Sequence, residues 1–278
     1  MSPRVSVLIP AHNEAAYIGA CLGAVFASDP LPADMTGEVL VLANGCTDET
    51  AALAQAAEPP AGWALQVLEL PEGGKLGALN AGDAAADGDI LIYLDADVLV
   101  RPALIPQLAA ALADGAPRYA SGRPSVAPAR SAVTRAYARL WSRLPFFNSE
   151  APGFGIFAMT RAGRARWGDW PDIISDDTFA RLSFLPDERV QVPGGYSWPM
   201  VEGFRNLVRV RRRQNAGVAE VAARYPGLLA NGGGETSGRV SPLKLLLADP
   251  TGFLVYALVA TAVKSPLFAS RTRWTRGR

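Results

Sequence analysis

The feature that most restricts the fold is an apolar run, residues 90–94, that ends in two carboxylates, Asp95 and Asp97. Five consecutive large or β-favouring residues predict a strand buried on both faces, as in a parallel sheet covered by helices. Ligands of open α/β sheets bind at the carboxyl ends of such strands. Side chains alternate along an extended chain, so both aspartates point the same way. One is then placed to hydrogen-bond a ribose and the other to hold a divalent metal, although an isolated Asp-x-Asp is also consistent with a plain acidic turn.

Residues 1–97 alternate predicted strands and helices four times, with short links. The strands are predicted at 5–10, 39–42, 65–70 and 90–94, and helices at 15–27, from about 50, and at 76–86. This alternation is typical of a mostly parallel central sheet covered by helices. The turn after the first strand, residues 10–14, contains no glycine. A dinucleotide-dependent dehydrogenase is therefore not expected, because its pyrophosphate approaches the helix over glycines.

The charge is distributed unevenly along the chain. The net charge is +1, yet residues 1–100 carry 2 basic and 14 acidic side chains, and the remaining 178 residues carry 25 basic and 12 acidic ones. The acidic first part argues against a nucleic acid partner, whereas the arginine-rich second part suits phosphates or an anionic membrane surface. Cys21 and Cys46 have no metal or redox spacing, and the N-terminus does not resemble a signal peptide. A cytoplasmic location is expected.

Four segments, in order, each follow or adjoin a predicted strand: residues 5–14, 44–48, 74–82 and 95–97. They resemble the motifs of family 2 glycosyltransferases. The resemblance implies a GT-A fold and an inverting, hexosyltransferase-class enzyme that uses a nucleoside-diphosphate sugar. A UDP-sugar is expected, with Mg²⁺ or Mn²⁺ as cofactor. Many members have Asp-Asp-Gly-Ser where this chain has Ala-Asn-Gly-Cys at 43–46, so the identity of the base stays open.

The resemblance also assigns roles to individual residues. Those expected to hold the nucleotide are Pro10, Asn13, Glu14, Asn44, Lys75, Asp95 and Arg213. Asp97 is expected to bind the metal, and Asp177, in the Ser-Asp-Asp stretch at 175–177, to act as the general base. Without the resemblance, that stretch predicts the start of a short helix. The arginine-rich run at 209–214 is expected to offset the charge of the departing diphosphate, or else to form a solvated helix face.

The chain is predicted to divide near its glycine run at 231–238. Residues 1–230 form the expected GT-A domain, with a nucleotide-binding half at about 1–101 and an acceptor half at about 102–230. Residues 239–278 form an apolar and basic helical appendage, too short in its apolar run to span a bilayer. We expect it to lie on an anionic membrane surface, which suits a lipid-linked acceptor, or to pack on the body or on a second copy.

Three functions are compatible with these patterns. The first is transfer of a sugar to a hydroxyl of a saccharide or lipid-linked acceptor, in the synthesis of cell-surface polysaccharide or glycolipid. The second is a sugar-phosphate nucleotidylyltransferase, which would release pyrophosphate. The third is a non-catalytic scaffold that binds nucleotide sugars. Asp95, Asp97 and Asp177 together favour the first.

Overall fold

A computed structural model describes residues 3–148, 151–232 and 241–266. Within them, eight strands form one sheet in the order β3-β2-β1-β4-β7-β6-β8-β5. The strands are β1 (Arg4–Ala11), β2 (Thr36–Asn44), β3 (Trp63–Leu70), β4 (Ile90–Leu94), β5 (Leu99–Val100), β6 (Tyr119–Val126), β7 (Ile156–Thr160) and β8 (Arg189–Trp198). The α/β class expected from the sequence is confirmed.

Helices cover both faces of this sheet. They are α1 (Ile18–Phe26), α2 (Thr50–Gln55), α3 (Lys75–Ala85), α4 (Leu104–Ala111), α5 (Ala132–Trp141), α6 (Arg161–Arg164), α7 (Asp176–Leu182), α8 (Phe204–Arg224), α9 (Pro242–Ala248) and α10 (Pro250–Lys264). In β4, Ile90 and Ile92 pack into the core on one face, and Leu91 and Tyr93 into the core on the other. The uninterrupted apolar run is thus the signature of a strand covered on both sides.

Strand β4 joins two differently built halves of the sheet. It pairs parallel with β1, which pairs parallel with β2, and β2 with β3. On its other side β4 pairs antiparallel with β7. The carboxyl ends of β1 and β4 therefore lie side by side, and β7 brings the loop before Ile156 to the same edge of the sheet.

Strand β8 is absent from the sequence-based prediction. Its centre reads Pro193-Gly194-Gly195, a turn-like signal. In the structure the pairing of β8 with β6 shifts register between Ser121 and Arg123. A Cβ on Gly194 would lie 2.7 Å from the Cα of Leu104. The glycine is there because α4 crosses the strand closely, a contact that no local pattern reports.

The described part of the C-terminal segment packs on the body. Val259 is buried in a cluster with Tyr137, Leu207 and Val208, and Tyr256 stacks on Tyr137 with ring centroids 5.5 Å apart. Helix α10 therefore shares a core with α5 and α8. The predicted boundary at 231–238 lies outside the described residues from 233 onward, and so do residues 267–278.

Polar contacts fasten the same helix at both ends. Asp249, before α10, pairs with Arg139 of α5 at 3.1 Å. At the other end, the guanidinium of Arg212 donates to the carbonyl oxygens of Val263, at 2.7 and 3.0 Å, and of Ser265. Across the described residues, no helix is both long and apolar enough to cross a membrane.

Candidate active site

An open cavity of about 210 Å³ lies where β1 and β4 end. Six of the nine predicted site residues line it: Pro10, Lys75, Asp95, Asp97, Asp177 and Arg213. They come from four separate parts of the chain, namely β1, the region from α3 to the end of β4, α7 and α8. The cavity therefore gathers four carboxylates, counting Asp176, around two cationic side chains.

Lys75 connects the two acidic pairs. Its Nζ lies 2.9 Å from Asp95 Oδ1 and 2.9 Å from Asp176 Oδ2. Burial lowers the pKa of the Lys75 ammonium, but the charges of Asp176 and Asp95 outweigh it and hold that pKa above its ordinary value. Lys75 is therefore charged at any physiological pH, and its positive charge allows the carboxylates to lie this close.

Asp177 is in the first turn of α7. Burial, and next the charge of Asp176, raise the pKa of the Asp177 carboxyl to about 6, against the opposing charge of Lys75. The Thr178 N–H donates to Asp177 Oδ1 at 2.7 Å. A carboxylate with a raised pKa beside a cavity has the properties of a general base that works near neutral pH.

The position of Asp95 depends on a glycine. The Asp95 N–H donates to the carbonyl oxygen of Gly155 at 2.9 Å. Gly155 has φ +81°, and a Cβ there would lie 2.8 Å from the indole of Trp198 and 2.9 Å from the side chain of Val98. Only glycine fits this conformation and this space, so the glycine loop before β7 fixes the end of β4.

The other three predicted nucleotide ligands lie beside the cavity lining, not in it. Asn44 is buried; its amide donates to Ala11 and Leu42 carbonyls at 2.9 and 3.1 Å, and its oxygen accepts from Gly74 N–H at 3.0 Å. Asn13, at φ +53°, accepts from the Thr47 N–H at 2.6 Å. These amides brace the loops after β1, β2 and β3.

Glu14 belongs to the same loop region. Its backbone N–H donates to Thr50 Oγ1 at 2.7 Å, and its carbonyl oxygen accepts from Tyr17 and Ile18 at the start of α1. Direct contact of Asn13, Glu14 or Asn44 with a nucleotide stays a prediction. The structure shows them shaping the loops on which the donor would rest.

The carboxylates of the cavity suit a metal ion whose remaining coordination positions are filled by the substrate. Among residues 3–148, 151–232 and 241–266, no group of three or more Asp, Glu, His or Cys side chains is arranged to hold a metal ion. Mg²⁺ commonly takes one or two carboxylates and fills its other positions with substrate phosphates and water. Asp97, partly exposed in the cavity, is suited to be such a ligand.

The sequence analysis missed several lining residues. Trp198 ends β8, the strand hidden by its central proline and glycines, and Pro199 and Val201 follow that strand. Val210 and Gln214 lie on α8 beside Arg213. The sequence offers only two local signals for these lining residues. One is the i, i+4 spacing of Val210 and Gln214, and the other is the tryptophan at a strand end. Their convergence with Asp177 is a tertiary property.

The match to a known family is extensive. Residues 6–163 match the family described as glycosyl transferase family 2. An undecaprenyl-phosphate 4-deoxy-4-formamido-L-arabinose transferase from Enterobacter sp. (strain 638) is 34% identical over 113 residues, which cover 40% of this chain and 34% of that protein. The alignment thus spans about a third of that relative's length.

Solved structures agree with this match. A mannosyltransferase from Pyrobaculum calidifontis, in complex with GDP-Man and Mn²⁺, has a TM-score of 0.58 and 25% identity, covering 95% of this chain and 76% of that one. A glucosyl-3-phosphoglycerate synthase from Mycobacterium tuberculosis, in complex with phosphoglyceric acid, has a TM-score of 0.53 and 26% identity, covering 80% of each chain. With the motifs at 5–14, 44–48, 74–82 and 95–97 and a sheet of GT-A type, this chain belongs to glycosyl transferase family 2.

Proposed function

We propose that this protein is an inverting, metal-dependent glycosyltransferase of the hexosyltransferase class. The observation that carries the proposal is the convergence of Asp97, Asp177, Lys75 and Arg213 on one cavity at the ends of β1 and β4. The family match supports transfer from a nucleoside-diphosphate sugar. It offers nothing for the nucleotidylyltransferase or the non-catalytic scaffold.

The donor is held by the β1–β4 side of the cavity. Pro10 and Asp95 line the place where its nucleoside is expected, and Lys75 and Arg213 offer positive charge to its diphosphate. Asp97 would hold Mg²⁺ or Mn²⁺, and the bound ion would neutralise charge on the diphosphate. The related mannosyltransferase binds GDP-Man with Mn²⁺, while a UDP-sugar remains the donor that we predict.

Asp177 takes the proton in a single displacement. The acceptor hydroxyl oxygen forms a bond to the anomeric carbon while the bond from that carbon to the diphosphate oxygen breaks, so configuration inverts. The hydroxyl proton passes to Asp177, and the electron pair leaves on the nucleoside diphosphate. Because Thr178 N–H occupies Asp177 Oδ1, we assign Oδ2 to the proton.

Turnover of a panel of UDP-, GDP- and dTDP-hexoses tests this function. We expect release of nucleoside diphosphate from at least one donor, with loss of activity in EDTA and recovery with Mg²⁺ or Mn²⁺. Asp97→Asn should weaken metal-dependent nucleotide binding in calorimetry while the circular dichroism stays unchanged. Release of pyrophosphate would instead indicate a nucleotidylyltransferase, and no turnover of any donor would favour the scaffold.

A membrane location on the cytoplasmic side is part of the proposal. Helices α9 and α10 expose leucines on the side away from the body; these are Leu243, Leu246, Leu247, Leu254 and Leu258. Beside them, the exposed face of α5 carries Arg135 and Arg139, and exposed Arg143 follows just after the helix. Exposed leucines beside arginines suit an interface with anionic lipid. A lipid-linked acceptor, like that named for the undecaprenyl-phosphate transferase, would be presented there.

Co-sedimentation with vesicles containing phosphatidylglycerol tests this location. The double variant Leu254→Ser/Leu258→Ser should bind about tenfold more weakly, since two leucines no longer enter the interface. Leu53→Ser/Leu229→Ser, on exposed leucines elsewhere, is the matched control. A truncation before α9 is a poor test because it uncovers the core around Tyr137. Equal binding by both double variants, or none by the wild type, would refute the membrane location.

A further inference from the structure

The loop that leads into the proposed base is fastened to the C-terminal half of α8. We call residues 172–175 the base loop, because α7 with its two aspartates follows it directly. The Ile174 N–H donates to Glu220 Oε2 at 2.9 Å. The guanidinium of Arg224, one turn later on α8, donates to the Asp172 carbonyl oxygen at 2.5 Å and to Glu220 Oε1 at 3.3 Å. Two side chains of one helix therefore bind the backbone of the base loop.

Close packing accompanies these hydrogen bonds. A Cβ on Gly217 of α8 would lie 2.3 Å from Ser175 Oγ and 3.0 Å from the side chain of Ile174. Gly217 and Ser175 are both buried. Further along, Phe179 of α7 packs edge-on against Tyr225 at the end of α8, with ring centroids 5.0 Å apart. The base loop and α7 therefore have little room to shift against α8.

The same side of α8 also carries a residue of the catalytic cavity. Arg213, Gly217 and Glu220 are spaced i, i+4 and i+7, which places them along one face of the helix. Arg213 lines the cavity, and Glu220 lies about two turns, or about 10 Å, further along the helix axis. One helix therefore carries a cation for the diphosphate and holds the loop that leads to the base.

We propose that Glu220 is a positioning residue, which fixes Asp177 relative to Arg213 through the Ile174 amide. The inference rests on the proposed function and adds to it a residue outside the lining of the cavity. In a single displacement, the base and the departing diphosphate act on opposite sides of the anomeric carbon, so their separation must be fixed. A misplacement of about 1 Å, caused by a change far from the chemistry, can lower the rate about 100-fold.

Two substitutions at Glu220 test this role. Glu220→Gln keeps an oxygen that accepts from the Ile174 N–H, whereas Glu220→Ala removes the acceptor. With the nucleotide sugar that the donor panel identifies, kcat should fall about 10- to 100-fold in Glu220→Ala and stay within about threefold of wild type in Glu220→Gln. Calorimetry of the released nucleoside diphosphate with Mn²⁺ should give the same dissociation constant for both variants and the wild type. A residue that only supports the fold would lower turnover and nucleotide binding together.

Amide hydrogen exchange of the full-length protein without substrate gives a readout that does not depend on turnover. Exchange in the base loop should rise about tenfold or more in Glu220→Ala, and not in Glu220→Gln or in the matched control Asn215→Ala, at an exposed position of α8. Unchanged exchange or unchanged kcat in Glu220→Ala would overturn the inference, as would equal losses of kcat in both Glu220 variants. If the wild type turns over no nucleotide sugar, the proposed function fails, and exchange still decides whether Glu220 holds the base loop.

Discussion

The two halves of the sheet border one cavity, and a different kind of contact stabilises each half. On the β1–β3 side, buried amides fasten loop to loop, as Asn44 does with the backbones of Ala11 and Gly74. On the β6–β8 side, stacked aromatic rings such as Trp141 and Trp198 form the walls. Each hydrogen bond from a side chain to the backbone fixes the position of one backbone group, so a set of them fixes the conformation of a loop. Aromatic packing instead fixes the shape of a surface. The first arrangement suits the side where we propose that the donor binds, and the second suits the side where we propose that the acceptor binds.

The sharpest test of this division removes a carboxylate from the acceptor side. Asp177→Asn should reduce turnover by about 10² or more, because the acceptor proton loses its base, while nucleotide binding on the β1–β4 side persists. Steady-state kinetics and calorimetry measure the two quantities. Asp187→Asn, at an exposed position just beyond α7, is the control. Turnover near that of the wild type would remove Asp177 from its role, and a greater loss in Asp176→Asn would reassign it.

Removal of the buried Asn44 amide, which links neighbouring loops, tests the side where we propose that the donor binds. Asn44→Ala leaves the Gly74 N–H and two backbone carbonyls without their partner, and should lower the free energy of unfolding by about 1–3 kcal/mol. Nucleotide binding should weaken as well, because the loops after β1 and β3 lose their common anchor. Urea denaturation and calorimetry measure these effects.

Asn206→Ala is the matched control for that change. The Asn206 amide donates to the Glu202 carbonyl at the start of α8, at 2.9 Å, and braces no loop of the donor side. A similar loss of nucleotide affinity in both variants would mean that Asn44 does not act through those loops.

A core variant tests whether the C-terminal helix belongs to the acceptor half. Val259→Ala removes two methyl groups from a buried site and should destabilise the protein by about 1–2 kcal/mol. The loss should appear in a single cooperative transition, with nucleotide affinity unchanged. Val218→Ala, exposed on α8, should have no measurable effect. A separate early transition, or no loss in Val259→Ala, would show that α10 unfolds independently of the body.

The smallest effect expected is a pH-dependent stability gain in Asp177→Asn. Burial and the charge of Asp176 raise the pKa of Asp177 in the folded protein to about 6, above the ordinary value of 3.8. Between these values the folded protein holds a proton that the unfolded chain releases, so this group lowers stability as pH rises from about 4 to about 6. Asp177→Asn should therefore be more stable than wild type at pH 7 and equally stable at pH 4, by thermal unfolding. The opposite pH trend would show that the pKa is not raised.

Local patterns predicted the strands and helices of the β1–β4 half well and those of the β6–β8 half poorly, for one physical reason. In the β1–β4 half, Asp95 and Asp97 follow a buried strand, so the apolar run at residues 90–94 locates them. Lys75 begins the helix after β3 and was identified by the same order of motifs. In the β6–β8 half, the lining of the cavity depends on β8. The proline and glycines at the centre of that strand are accommodated only because α4 packs closely on it and β6 pairs with it. Such contacts join residues far apart in sequence and leave no periodicity.

Arg212 has a consequence for how this protein can vary in evolution. Its guanidinium holds the end of α10 through the carbonyl oxygens of Val263 and Ser265. Every residue type supplies a carbonyl, so substitutions there leave this anchor intact. The outward side chains of the helix can then change without loosening this anchor, while the inward side, at Val259 and Ala262, stays constrained by packing.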